Sequence, residues 1–120
     1  MSCYDKAKEL YTMLEEGKLL EAKEKYYHNN VIVIQANGTI RKGKNENIKY
    51  DKDFVNNIDE IYGGKIQAIA SDENRNISMV EFWINLKQKD GTKRIIAEVA
   101  IQQWQNDKII EERFYTRNKI

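Results

Sequence analysis

The stretch "EFWINLKQKDGTKRIIAEVAIQQW", Glu81–Trp104, decides how this chain folds. Two runs rich in β-branched and aromatic residues flank Asp90-Gly91, which predicts an antiparallel hairpin. Read as a two-residue turn, Asp90-Gly91 sets Lys89 opposite Thr92, because glycine accepts the positive φ such turns need. Counting outward pairs Leu86 with Ile95, Ile84 with Ala97, Phe82 with Val99 and Val80 with Ile101, an apolar face throughout. The opposite face pairs Asn85 with Ile96, Trp83 with Glu98, Glu81 with Ala100 and Met79 with Gln102. A slip of one residue would exchange the faces, so the assignment rests on the turn.

The next hairpin, "WQNDKI", admits two turns: two residues at Asn106-Asp107, or three with Asp107 in the left-handed region, which Asp tolerates better than most residues. The longer turn sets Phe114 beside Glu98 and Glu112 beside Ala100. Glu81, Glu98 and Glu112 then cluster, and three close carboxylates do not all stay ionised cheaply without a cation. Oxygen ligation of a hard metal is conceivable there, but no histidine supports it, and neither metal nor cofactor is expected.

Upstream, helical spacing governs. Cys3, Ala7, Leu10, Tyr11 and Leu14 form one stripe that stops at Gly17, and Leu19, Ala22 and Tyr26 form a second. "VIVIQ" reads as a strand entering an Asn37-Gly38 turn. A third helical pattern runs from Ile48 through Val55, Ile58, Ile61 and Tyr62, and Gly63-Gly64 closes it. From Lys65 the period drops to two through "KIQAIAS", "ISMVEFWINLKQ", "KRIIAEVAIQQW" and "KIIEERFYT". Helices followed by a meander predict an α+β fold with the helices on one face of a curved antiparallel sheet.

The 120 residues are read as one domain, residues 1–120, large enough to bury a core. A net charge of +1, with bases and acids interspersed, gives no electrostatic case for nucleic acid or an anionic membrane. One cysteine, Cys3, excludes an internal disulfide. With no secretory leader pattern and no apolar span, a cytoplasmic protein is expected.

With "LYTMLEEGKLLEAKEKYYHNNVIVIQANGTIRKGKNENI" and "AEVAIQQWQNDKIIEERFY" in this order, the chain resembles the nuclear transport factor 2-like superfamily, in its SnoaL-like and ketosteroid isomerase-like branch. The resemblance implies a cone: three helices cover the concave side of a bent sheet and enclose a pocket, and many members dimerise through the convex side. It turns Trp83, Glu98 and Ala100 toward the pocket and the face built from Val80, Phe82, Ile84, Leu86, Ile95, Ala97, Val99 and Ile101 outward. So large an apolar patch needs a partner, and a homodimer is expected. The steroid isomerases' tyrosine, aspartate base and protonated aspartic acid align with Leu10, Gln35 and Ala100, so their mechanism does not carry over. The dehydratase-like relatives use pocket histidines, whereas His28 is the one histidine here and reads as an exposed residue beyond the second helix. The Asp-Arg-Asp set of the epoxide hydrolase-like relatives has no counterpart.

Glu98 is the candidate base, in a pocket lined by Trp83 and Phe114, where burial would raise its pKa. Gln35, Glu81 and Glu112 complete the candidate ligand contacts. The plainer reading makes Glu98 an ion-pair partner, Trp83 a packing residue and Tyr11 part of the core. Two functions follow: a small-molecule pocket protein performing proton transfer on an apolar ligand, or a non-catalytic ligand-binding or dimerisation module on the same scaffold.

Overall fold

The computed structural model describes residues 1–117. Two helices, α1 (Cys3–Glu15) and α2 (Leu19–Tyr26), lead into strand β1 (Tyr27–Ile34), a short β2 (Ile40–Lys42) and helix α3 (Lys44–Asn56). Four long strands follow: β3 (Ile58–Asp72), β4 (Ile77–Gln88), β5 (Lys93–Gln105) and β6 (Lys108–Thr116). They form one curved six-stranded sheet in the order β2-β1-β6-β5-β4-β3. The expected α+β architecture is therefore present, with one difference: β1 pairs with β6 in parallel, so the sheet is mixed.

The predicted stripes of α1 and α2 are the buried ones. Cys3, Ala7, Leu10 and Tyr11 of α1, and Ala22 and Tyr26 of α2, lie in the core with Val31, Val33, Val80 and Trp104. Complete burial of a large apolar side chain such as Leu10 contributes about 1.5–3 kcal/mol. The α1 N-terminus is held twice. Ser2 caps it by accepting from the Asp5 N–H. Glu73, on the 3-10 turn between β3 and β4, accepts from the Cys3 and Tyr4 N–H groups. That carboxylate answers both the orphan donors and the positive end of the helix dipole.

The third helix is shorter than its pattern suggested. It ends at Asn56, and Ile58, Ile61, Tyr62 and Gly63-Gly64 belong to β3. Val55, Ile61 and Tyr62 are exposed, so their helical spacing had no buried face to serve. His28 lies within β1, half-buried, its Nδ1 accepting from the Asn30 N–H.

The decisive hairpin carries a correction. Its loop has three residues: the Gln88 N–H donates to the Thr92 carbonyl at 2.8 Å, and the Gly91 N–H to the Gln88 carbonyl at 2.9 Å. Gly91 sits at φ 91° as the left-handed residue that ends such loops. The extra loop residue shifts the register by one, pairing Trp83 with Ala97, Phe82 with Glu98 and Val80 with Ala100. The predicted all-apolar face is thereby divided. Val80 and Leu86 are fully buried, Val80 in the core with α1 and α2, and Phe82 and Ile84 share their face of β4. Ile95, Ala97, Val99 and Ile101 point the other way, beside Glu81 and Trp83.

The last hairpin uses the two-residue turn, Gln105 pairing with Lys108 and Asn106 taking φ 56°. A bulge between Gln103 and Trp104 then shifts the ladder. Glu112 stands opposite Gln102, Phe114 opposite Ala100 and Thr116 opposite Glu98. Each lies two residues from the position expected with the longer turn, on the same concave face.

Candidate functional site

The concave face is built around a charge. Glu112 is fully buried, as is Gln102, and Lys23 is 5% exposed. The Lys23 ammonium donates to the Glu112 carboxylate at 3.2 Å and to the Tyr27 hydroxyl at 2.6 Å, and the Tyr27 hydroxyl donates to Glu112 Oε1. On Oε2, Gln102 Nε2 donates at 2.8 Å and the Tyr11 hydroxyl at 3.3 Å. The network continues outward: Ser78 Oγ donates to Gln102 Oε1 and accepts from the Trp104 indole. Burial, and then the Glu112 charge, push both tyrosine hydroxyls well above their ordinary pKa, so both remain donors. With four donors on one carboxylate, Glu112 is a satisfied structural anion rather than a free base.

Two half-buried acids flank this network. Burial raises the pKa of Asp51 on α3; Lys23 and Arg41 oppose the shift and Glu112 reinforces it. Burial likewise raises Glu98, against Arg94 and with a further push from Glu112. No ion pair involves Glu98 among the described residues. Arg41 stacks on Tyr50 with 3.4 Å between guanidinium carbon and ring centroid, and its buried Nε has no partner among the described residues.

Two depressions lie nearby. A cleft of ≈ 280 Å³ opens between α1 and the β3–β4 ribbon. Tyr11, Leu14, Ile66, Phe82 and Ile84 supply its apolar walls, Gly63-Gly64 a bare stretch of backbone, and Glu15 and Lys65 its charges. Tyr11 packs on Phe82 with centroids 5.3 Å apart. A wider groove of ≈ 740 Å³ crosses the outer side of the sheet over Glu81, Trp83, Ala97, Val99 and Tyr115, reaching Glu98 in the row where β6 ends.

The expected site is thus split. Glu98, Phe114 and Glu112 share the concave face, with the Lys23 ammonium 5.9 Å from the Phe114 centroid. Glu81 and Trp83 lie on the outer face and meet Glu98 in the groove, and Trp83 also lines the cleft. Gln35 follows β1, half-buried, its N–H closing the first hairpin onto the Thr39 carbonyl. The three-carboxylate cluster does not form, and no group of three His, Cys, Asp or Glu side chains converges among the described residues. Sequence reasoning missed Lys23, Asp51 and Arg41. Lys23 carried a signal, since a lysine on the stripe of Leu19, Ala22 and Tyr26 needs a buried anion.

Solved structures share this fold. A protein provisionally named a SnoaL-like polyketide cyclase, from Mesorhizobium loti, superposes with a TM-score of 0.84 over 96% of this chain and 99% of that one, at 24% identity. A provisionally named isomerase from Bacillus subtilis gives 0.80 over 98% and 90%, at 16% identity. An LEH-like epoxide hydrolase from M. tuberculosis gives 0.76 over 96% and 82%, at 10% identity. The chain has the nuclear transport factor 2-like fold. No protein-family model matches it, and no curated protein does. Among the described residues no helix is long and apolar enough to cross a membrane.

Proposed function

We propose that this protein binds a small, largely apolar molecule in the cleft between α1 and the β3–β4 ribbon. The cleft itself carries the reading: ≈ 280 Å³, walled by Tyr11, Leu14, Ile66, Phe82 and Ile84. That volume lies near the small end of ligand pockets, roughly 300–1,000 Å³. Binding is favoured over catalysis because Tyr11 has its hydroxyl committed to Glu112, and the other ionisable side chains there are Glu15 and Lys65. The proteins that share the fold carry the names cyclase, isomerase and epoxide hydrolase, so the scaffold does not choose a reaction.

One observation favours a second reading, proton transfer by Glu98: this carboxyl is half-buried, has no ion-pair partner among the described residues, and is held above its ordinary pKa by burial. Its chemistry would belong to the rim by the outer groove. We also propose self-association through the outer sheet face. Ile95 and Tyr115 are 57% and 56% exposed there, next to Ala97 and Val99.

The test of the cleft is a thermal-melt screen with small aromatic compounds on the native chain and on Leu14→Trp, which fills the cleft. Native melts that rise with compound while the variant's stay fixed support the reading. Equal shifts in both overturn it.

A further inference from the structure

We propose that the Gly63-Gly64 backbone is the polar wall of the apolar cleft, hydrogen-bonding one polar group on the bound molecule. The site then selects a flat apolar compound with a single hydrogen-bonding edge over a hydrocarbon of the same shape. This rests on the reading of the cleft as the ligand site.

Two consecutive glycines in a strand weaken it, since neither brings a side chain to pack and both lose more backbone entropy than other residues. Backbone conformation does not require them, because the positive-φ glycines are Gly17, Gly38, Gly43 and Gly91. Packing requires little more. A Cβ on Gly63 would meet the Trp83 ring at 3.7 Å, an ordinary contact, and one on Gly64 would stand 3.2 Å from the Trp83 carbonyl oxygen, asking for a shift of a few tenths of an ångström. What remains is access. Gly64 is exposed, and both residues line the cleft.

The topology supplies the donors and acceptors. β3 is an edge strand, with β4 on one side and, among the described residues, no strand on the other. In an antiparallel pair successive residues aim their N–H and C=O alternately toward and away from the partner, so one residue of the pair presents both groups outward. The bulge between Ile61 and Gly63 re-aims the chain just before this point. Elsewhere the cleft walls are apolar, apart from the Glu15 and Lys65 side chains, the Trp83 indole, whose ring lies against Gly63, and the Tyr11 hydroxyl, which is committed to Glu112. An approaching ligand therefore meets unpaired peptide groups with no side chain in front of them.

The experiment uses 2-naphthol and 2-methylnaphthalene, which have nearly the same shape and differ in a hydroxyl, titrated calorimetrically into the full chain. The native chain is expected to bind the naphthol about tenfold more tightly, the effect of one hydrogen bond. Gly64→Ala, which puts a methyl on the cleft side beside Ile84, should remove most of that preference, whereas Gly63→Ala, beneath the Trp83 ring, should keep it. Glu15→Gln and Lys65→Met should also keep it, and they decide the matter even if Gly64→Ala does not fold. Equal native affinity for the two compounds overturns this inference and leaves the cleft as a site. Loss of the preference in Lys65→Met or Glu15→Gln assigns the polar contact to a side chain and also overturns it. Binding of neither compound overturns the cleft reading, and this inference with it.

Discussion

Glu112 and Lys23 form a pair whose worth lies in remaining complete. Both are buried, so Glu112→Ala leaves an ammonium and three polar donors facing an empty site, and should cost about 3–5 kcal/mol in urea unfolding. Replacing both, Lys23→Met with Glu112→Leu, should recover only part of this, because Tyr11, Tyr27 and Gln102 still lose their acceptor. Full recovery would show that the tyrosines find other partners. Glu98 should behave in the opposite way. Its folded pKa is raised, so the native state holds the proton more tightly than the unfolded chain does. Its contribution to stability is then greatest below the unfolded pKa, falls as pH rises toward the folded pKa, and stays at that lower level above it. Glu98→Gln should therefore raise the melting temperature near neutral pH and leave it little changed in acid. Destabilisation at neutral pH would make Glu98 an ion-pair partner instead. The sequence made Glu98 visible as an acid on a strand, and the α2 stripe signalled that Lys23 needs an anion. It did not show that Glu112 is that anion or that Asp51 is half-buried, since these environments are created by helices crossing distant strands.

At the scale of elements, turn chemistry carried more information than the apolar pattern. The first hairpin reads Asn37-Gly38-Thr39 and the decisive one Asp90-Gly91-Thr92, and they close alike. In each the Asx side chain accepts from the Thr N–H and glycine takes positive φ, at 89° and 91°. A dipeptide read without its threonine suggests a two-residue loop; the Asx bond to the third residue marks the longer one. Gly91→Ala should cost about 1–2 kcal/mol, the penalty for a Cβ in the left-handed region, seen as a lower urea midpoint with unchanged slope. An unchanged midpoint would mean that the turn relaxes freely. The helical stripes of α1 and α2 were legible because each buries one face. The third pattern misled because α3 buries only Asn47, which donates to the Arg41 and Gly43 carbonyls. Apolar residues beyond Asn56 kept a helical spacing by coincidence while serving an edge strand.

For the whole molecule, element order and repeated period-two runs made the α+β fold legible, and the resemblance implied its cone, whereas the parallel β1–β6 pairing was not legible, since it joins the first strand to the last. The two sides of the sheet now make opposed predictions. Val99→Glu, on the outer face, should reduce self-association in sedimentation without lowering the melting temperature. Phe82→Glu, against Tyr11 on the concave face, should destabilise the fold by burying a charge. A native chain that sediments as a monomer at every concentration would remove the outer face as an interface. The proposed ligand site is the cleft under α1 and not the outer groove. Amide chemical-shift mapping of the full chain titrated with 2-naphthol tests it most directly. Binding in the cleft should shift Tyr11, Leu14, Gly64, Ile66 and Phe82 so that they saturate together, with Ala97, Val99 and Tyr115 unmoved. Shifts centred on Ala97, Val99 and Tyr115, with the α1 amides silent, would contradict it.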